Sequence, residues 1–173
     1  MNSTPQRAFT LVELIITIAI LGVLLGIAVP SFGSLIERNQ QTSATHELLS
    51  ALNHARGLAV TRRELVSICA GADSCSQSAN WEQSILIFSD PNRNGQLDAG
   101  ERLHQAVTIP GQYRWNWSNF RSKTFMSFKA SGLTDSLNGT FTLCHGSDAQ
   151  QRVVIGVTGR LRTESPKNNS ACS

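Results

Sequence analysis

The sequence contains few charged residues and few residues that break regular structure. Aspartate, glutamate, lysine and arginine make up 16% of the 173 residues, and the formal net charge is +3. An excess of positive charge this small does not identify a nucleic-acid-binding protein, so such a function would depend on where the cations lie. The 13 glycines and 5 prolines follow no period. This excludes a collagen-like chain, and the 40% share of apolar residues argues against a mostly disordered one.

Charge is absent from one long stretch near the N-terminus. No ionisable side chain lies between Leu14 and Val29, and the apolar run from Phe9 to Val29 would span about 31 Å as a helix, against about 30 Å for a bilayer core. The run predicts a membrane-spanning helix. It ends at Pro30 rather than at the small residues of a cleavable secretory signal. Glu13 lies inside the run at a cost of roughly 2.5–3.5 kcal/mol, which indicates a function for it.

The N-terminus resembles the signal of a known class of exported proteins. A basic leader with Arg7, the small residue Ala8, then Phe9-Thr-Leu-Val-Glu13-Leu and an apolar helix are similar to the prepilin signal of type IV pilins and type II secretion pseudopilins. Ala8 stands where that family usually has glycine. The resemblance implies that the prepilin peptidase cleaves between Ala8 and Phe9 and methylates the new amine of Phe9.

The same resemblance implies a location and a role for the helix. The chain would cross the inner membrane once, with its globular part in the periplasm and its helix in contact with lipid, and would later enter the core of a filament of pilins or pseudopilins. Glu13 would pair with the terminal amine of a neighbouring subunit, and this pairing would offset the cost of burying the carboxylate.

A second helical pattern follows Pro30. Apolar or small residues recur at spacings of three, four and seven, which is typical of an amphipathic helix. They are Leu35, Ile36, Ala44, Leu48, Leu49, Leu52, Ala55, Ala59 and Val60. We expect one long helix whose first half faces lipid and whose second half packs on a core. The stretch from His46 to Arg63 is also similar to the GspH/FimT family (FimT/FimU-like), which narrows the resemblance to minor pilins and the H-type minor pseudopilin.

The rest of the chain is β-rich. Short runs of β-branched and aromatic residues are separated by turn residues, including an Asn138-Gly139 turn. The predicted strands are 65–69, 84–88, 107–109, 124–128, 140–144 and 153–157. A helix packed on antiparallel strands is an α+β, pilin-like fold. The predicted organisation is a leader (1–8), a transmembrane and assembly helix (9–30), an amphipathic second half of the helix (31–64) and a globular part (65–173).

Four cysteines in a domain predicted to be exported favour two disulfides. Pairing of neighbours along the chain predicts Cys69–Cys75 and Cys144–Cys172, and the second bond would tie down the C-terminal tail. Zinc is the competing interpretation. The sequence, however, has neither a CxxC pair nor paired histidines at ligand spacing.

Residues 90–101 have the spacing of a calcium-binding loop. The pattern D-x-N-x-N-G-x5-E fits an EF-hand loop, with candidate ligands Asp90, Asn92, Asn94, Asp98 and Glu101. The flanks do not fit, because a strand pattern precedes the loop and no helical pattern follows it. The sequence favours a hairpin loop in which asparagine, aspartate and glycine serve turn geometry, with weak Ca²⁺ binding as the alternative and no other cofactor predicted.

Residues 159–162 read Gly-Arg-Leu-Arg and combine a turn glycine with two arginines. On an extended strand Arg160 and Arg162 would point to the same face and offer a fork for phosphate oxygens. The string resembles the DNA-binding motif of FimT-type minor pilins. That resemblance implies sequence-independent contacts with double-stranded DNA, mainly from Arg160 and Arg162 and to a lesser extent from Arg152 and Lys167. The alternative is a solvated strand edge whose charges discourage edge pairing.

Aromatic residues cluster before this segment. Tyr113, Trp115 and Trp117 alternate, which predicts one face of a strand packed on the helix. The alternative is that they and Phe120 stack on nucleic-acid bases.

No catalytic pattern occurs in the sequence, and its four histidines are scattered. We therefore expect a non-enzymatic minor pilin that assembles with other major and minor pilins, at the tip of a type IV pilus, with DNA binding in natural transformation. The alternative is the H-type minor pseudopilin of a type II secretion system.

Overall fold

The structure is a computed structural model, and it describes residues 10–135, 138–166 and 172. Within these residues it contains one helix and nine strands. Their bounds are α1 Leu11–Arg62, β1 Val66–Ala70, β2 Asn80–Trp81, β3 Ser84–Ser89, β4 Leu103–Thr108, β5 Tyr113–Asn119, β6 Met126–Phe128, β7 Gly139–His145, β8 Asp148–Ile155 and β9 Leu161–Glu164. The chain divides into two compact units, residues 1–39 and 40–173.

The first unit contains the N-terminal part of α1. The backbone N–H of Glu13 donates to the Thr10 hydroxyl at 3.2 Å, so Thr10 caps the helix and Glu13 occupies the acidic third position of a capping box. Every large apolar side chain from Leu11 to Ile27 is more than half exposed. The helix is long and apolar enough to cross a membrane. A continuous apolar surface of this kind requires lipid or another protein to cover it.

The second unit packs the C-terminal part of α1 on two antiparallel sheets. One sheet has the order β4-β3-β1-β6 and the other β2-β5-β7-β8-β9. One face of the helix is buried against the strands through small and branched side chains; they are Ala44, Leu48, Ala51, Leu52, Ala55 and Ala59. The spacing of three and four that predicted an amphipathic helix is therefore the spacing of its core contacts.

The five-stranded sheet shows the alternation expected of a sheet with one covered face. In β5 the side chains of Tyr113, Trp115 and Trp117 are buried, while the residues between them are not. The ring of Trp117 stacks on that of Phe141 in β7, with 4.2 Å between the ring centroids. The prediction that these aromatics form the core is confirmed.

Both disulfides join cysteines that are neighbours along the chain, as expected from the sequence. Cys69 bonds to Cys75 with an S–S distance of 2.03 Å, and Cys144 bonds to Cys172 at 1.98 Å. The guanidinium of Arg114 donates a hydrogen bond to the carbonyl of Cys172. The end of the chain is thus attached to β7 and to β5.

The predicted α+β fold with one long helix is confirmed, and several details differ. β4 and β8 begin four and five residues before the predicted strands 107–109 and 153–157. Leu35, Ile36 and Val60 were assigned to the core-facing stripe but are exposed. Leu35 and Ile36 precede the second unit, where burial of the helix begins, and Val60 lies near the end of the helix beside the buried Ala59. The helix ends at Arg62 rather than at residue 64, and the two-residue strand β2 was not predicted. Asn138-Gly139 is not a hairpin turn, since Gly139 begins β7 and β6 lies in the other sheet.

Candidate functional site

Strand register brings two connections to the same end of the five-stranded sheet: the β8–β9 connection, which contains Gly159 and Arg160, and the β5–β6 connection, which begins with Phe120. Asn119, at the end of β5, pairs with Gly139 at the start of β7. Gly139 pairs with Ile155 at the end of β8, and Ile155 pairs with Leu161 at the start of β9. The β5–β6 and β8–β9 connections therefore both lie at this end, which we call the cationic end of the sheet.

The β8–β9 connection depends on a glycine. Gly159 has φ +73°, and a Cβ at this position would lie 2.7 Å from the carbonyl oxygen of Gly132. Its amide donates to the carbonyl of Gly156 at 2.8 Å. Both the turn conformation and the close approach require glycine. The glycine of the Gly-Arg-Leu-Arg string thus has a structural role, and the chain beyond it turns so that Arg160 is exposed.

Arg56 in α1 holds this connection against the helix. Its Nε donates to the carbonyl of Gly132 at 2.9 Å, its Nη1 to that of Gly159 at 3.3 Å and its Nη2 to that of Thr158 at 3.2 Å. The planar guanidinium suits several acceptors in fixed directions. Sequence reasoning gave Arg56 no role. The available signal was its position four residues after Leu52, in line with the core-facing stripe.

Glu164 lies between two of the candidate phosphate-binding arginines. Its carboxylate accepts from Arg162 Nε at 2.8 Å and from Arg152 Nη1 at 3.1 Å. The Arg152 side chain is only 16% exposed, whereas that of Arg162 is 68% exposed. Glu164 therefore engages both arginines, but Arg162 stays accessible to solvent, as does exposed Arg160, whereas Arg152 is largely buried. Lys167 lies outside the described residues.

Sequence reasoning missed Glu164, although its position two residues after Arg162 was the available signal. Residues two apart on a strand share a face. The carboxylate reduces the positive charge of the hairpin and competes with a phosphate for the same guanidinium.

Of the four clustered aromatic residues Tyr113, Trp115, Trp117 and Phe120, only Phe120 lies outside the core. It follows β5 directly and is 92% exposed. The predicted aromatic segment therefore divides between a buried strand and one exposed ring at the cationic end.

The loop with calcium spacing is a hairpin loop between the paired strands β3 and β4. Asp90 is fully buried, and its carboxylate accepts from the Ser67 hydroxyl at 2.5 Å and from the amides of Asn94 and Gly95 at 3.1 and 3.0 Å. The Asp98 carboxylate accepts from the side chains of Asn92 and Asn94. In the described part of the chain, no three His, Cys, Asp or Glu residues are grouped to hold a metal.

Glu101 closes this loop. Its Oε2 accepts from the amide of Asp98 at 3.1 Å, and its Oε1 is buried without a hydrogen-bond partner. Burial raises the pKa of the Glu101 carboxyl above its usual value, and the negative charges of Asp90 and Asp98 act in the same direction.

A second polar cluster joins the start of β1 to β4. The Ser89 hydroxyl contacts Glu64 and His104 at 2.8 Å each, and the side chain of His104 is 6% exposed. Burial lowers the pKa of His104, as does the positive charge of Arg62, against the opposing effect of Glu64. The neutral imidazole therefore serves as a hydrogen-bonding group in this cluster.

The predicted processing site, Ala8 and Phe9, lies outside the described residues. The structure does place Glu13, which is exposed in the first turn of α1. Within the part of the chain that the structure describes, no ion pair involves its carboxylate.

Comparisons with known proteins place the chain among pilins. The family described as "Type II transport protein GspH" matches residues 44–159, and the "Prokaryotic N-terminal methylation motif" matches residues 3–29. "Pilin-like protein PilA1" of Thermus thermophilus is 30% identical over 168 residues, which cover 92% of this chain and 99% of that protein. "Type IV major alpha-pilin" of Moraxella bovis is 25% identical over 158 residues, with 91% and 80% covered.

Solved structures agree in fold. The type IV minor pilin FimU of Pseudomonas aeruginosa superposes with a TM-score of 0.59 at 24% identity, covering 80% of this chain and 99% of that one. The methylation motif and the apolar helix fit an anchored pilin of the inner membrane. The chain therefore belongs to the GspH family of type IV pilin-like proteins.

Proposed function

We propose that the chain is a minor pilin, processed between Ala8 and Phe9 by the prepilin peptidase and methylated at Phe9. Before assembly it is anchored in the inner membrane with its globular unit in the periplasm. Its helix then enters a type IV pilus, at the tip. The observation that carries this proposal is the apolar surface of α1, exposed from Leu11 to Ile27 and again at Phe32, Leu35 and Ile36. Such a surface is covered by lipid before assembly and by other pilin helices afterwards.

Glu13 is the assembly residue in this proposal. It is the acid of an otherwise apolar segment and has an exposed side chain. A carboxylate in a dry helix bundle is stabilised when it meets a positive charge, and the methylated amine of a neighbouring Phe9 supplies one.

The experiment compares Glu13→Ala with Glu37→Ala, which removes an exposed acid from the same helix beyond the apolar segment. We expect both variants to be recovered in the membrane fraction, and only Glu13→Ala to be depleted from sheared filaments. Normal incorporation of Glu13→Ala would contradict the assigned role.

A second function at the cationic end is sequence-independent binding of double-stranded DNA in natural transformation. The exposed guanidiniums of Arg160 and Arg162 support it, since phosphate contacts of this kind need charge and no base readout. Arg152 and Lys167 are lesser candidates, and Glu164 is the residue that limits the affinity.

The test is retardation of duplex DNA by the full chain in detergent. Arg160→Gln plus Arg162→Gln should lower the slope of log affinity against log salt by about 1.8, at about 0.9 per phosphate contact. Arg63→Gln plus Arg102→Gln removes the same charge elsewhere and should leave binding nearly unchanged. Glu164→Gln should strengthen binding. Equal effects of the two arginine pairs would refute a site at the hairpin.

The alternative function is that of an H-type minor pseudopilin in a type II secretion system, and the match to the family described as "Type II transport protein GspH" favours it. Genes next to this one decide between the two machines. Competence-pilus genes support the pilus, and genes for a secretion ATPase and a secretin support the pseudopilus.

A further inference from the structure

The β5–β6 connection is a fixed turn that presents an aromatic ring to solvent. The side chain of Asn119 accepts hydrogen bonds from the amides of Arg121 and Lys123 at 3.1 and 3.0 Å and donates to the Lys123 carbonyl at 2.7 Å. The turn is therefore held by its own first residue. Phe120, at its tip, is 92% exposed, so it contributes little to the core.

Three cations surround a cavity of about 190 Å³, and one of them, Arg121, directly follows Phe120 in the chain. The lining of the cavity consists of Arg93, Arg121, Lys123, Phe125 and Asp135. The Lys123 ammonium lies 5.5 Å above the centroid of the Phe125 ring, a cation–π arrangement. Asp135 is already paired with Lys129 at 3.0 Å. In the described residues no ion pair joins the three cations of the cavity to a carboxylate.

Arg93 reaches the cavity because the β3–β4 loop packs on Phe125. A Cβ on Gly95 would lie 2.1 Å from the Phe125 ring, so only glycine permits this approach. The buried Asp90 carboxylate fixes the loop through the amides of Asn94 and Gly95. The residues with calcium-loop spacing thus hold Arg93 in place.

We propose that Phe120 and this cavity, together the Phe120 site, bind single-stranded nucleic acid. A phosphate occupies the cavity between Arg93, Arg121 and Lys123, and the adjacent base stacks on the face of Phe120. An exposed aromatic ring beside a cationic groove is the combination that binds unpaired strands without sequence preference.

The geometry favours an unpaired strand over other anionic partners. The bases of a duplex are stacked on each other and offer no face to Phe120. A bilayer presents a broad surface and does not fill a concave cavity, whereas an unpaired strand carries a phosphate and an exposed base face on every nucleotide. The site goes beyond the duplex binding proposed for Arg160 and Arg162, because it uses different residues and a different feature of the ligand.

The two sites lie at the same end of the sheet. β5 and β9 are separated by three strand spacings in the order β5-β7-β8-β9, or about 14 Å at about 4.8 Å each. One nucleic acid with a duplex part and an unpaired end is long enough to reach both.

The experiment measures fluorescence anisotropy with the full chain in detergent and three probes of equal length: labelled oligothymidylate, an abasic strand and a hairpin duplex. Phe120→Leu should weaken binding to oligothymidylate about five-fold or more and leave binding to the abasic strand unchanged. Phe120→Trp should retain or improve binding to oligothymidylate. The unchanged affinity for the abasic strand also shows that the leucine variant is folded.

The cations are tested separately. Arg93→Gln plus Arg121→Gln should weaken both single-stranded probes and lower the salt slope by about 0.7, the value for the one phosphate contact that the cavity makes. Arg63→Gln plus Arg102→Gln is the control for net charge. Arg160→Gln plus Arg162→Gln should weaken duplex binding. In this background Phe120→Leu should still lower the affinity for oligothymidylate by the same factor, so the two proposals can fail independently.

Two results would overturn the Phe120 site. The first is wild-type affinity of Phe120→Leu for oligothymidylate. The second is an equal loss with the abasic strand, which would show that no base is contacted.

Discussion

Replacing Arg56 with methionine tests whether the helix holds the cationic end of the sheet. The substitution keeps an unbranched side chain about as long as the arginine stem up to Nε, and removes the three hydrogen bonds to the carbonyls of Gly132, Gly159 and Thr158. A hydrogen bond from a charged donor contributes about 1.5–3 kcal/mol when it is shielded, and much less where water replaces it.

Of the three bonds, the one from Nε is the shortest and is partly buried, while the one from Nη2 is exposed. We assign about 2 kcal/mol to the Nε bond and about 0.5 kcal/mol to each of the other two, and expect a loss of about 3 kcal/mol in the free energy of unfolding. Arg56→Lys should lose about half as much, since one ammonium does not span three carbonyls in fixed directions.

The assay is urea unfolding of the full chain in detergent, followed by tryptophan fluorescence. Trp81, Trp115 and Trp117 are all buried in the second unit, so their emission reports its unfolding. Asn53→Met is the matched control because it changes an exposed residue of the same helix. If Arg56→Met unfolds within about 0.5 kcal/mol of this control, the three hydrogen bonds do not stabilise the fold and the reasoning is wrong.

Three further predictions concern the second unit. Gly159→Ala should lower the urea midpoint far more than Gly146→Ala, because both have positive φ but only Gly159 has a close neighbour; equal effects would show that the contact with Gly132 is unimportant. Replacing both cysteines of the Cys144–Cys172 disulfide by serine should cost about 3.6 kcal/mol, against about 2.2 for Cys69–Cys75, since the separations are 28 and 6 residues; the reverse order in urea unfolding would contradict this. The pKa of His104 is lowered by burial, so below the unfolded value of 6.5 the unfolded chain takes up a proton that the folded one does not. Stability should fall as the pH drops through about 6.5 towards the lower pKa of the folded state, and His104→Gln should flatten this dependence; an unchanged slope would exclude His104 as its source.

Local patterns predicted most of the secondary structure. The surface of a long apolar helix must be covered by lipid or by other helices. For this reason the long apolar run predicted α1 from Phe9 onward. The alternation of aromatic and polar residues predicted β5, because successive side chains of a strand point to opposite faces and only one face of this strand is buried. The limit of the core-facing stripe was not predicted, because Leu35 and Ile36 satisfy the helical period while the sheets pack only on the residues that follow.

The sequence alone determined the long apolar helix, the β-rich part and the candidate arginines, because residue type and spacing within a few positions suffice for each. Only the tertiary structure decided which arginines are exposed and which are held by carbonyls or by Glu164. Arg56 and Gly159 are 103 residues apart, and Arg93 comes to line one cavity with Arg121 through the packing of Gly95 against Phe125. Contacts of this kind follow from strand register and from the shape of packed loops, which no local period encodes. For that reason Glu164 and the Phe120 site emerged only when the strands were placed beside one another.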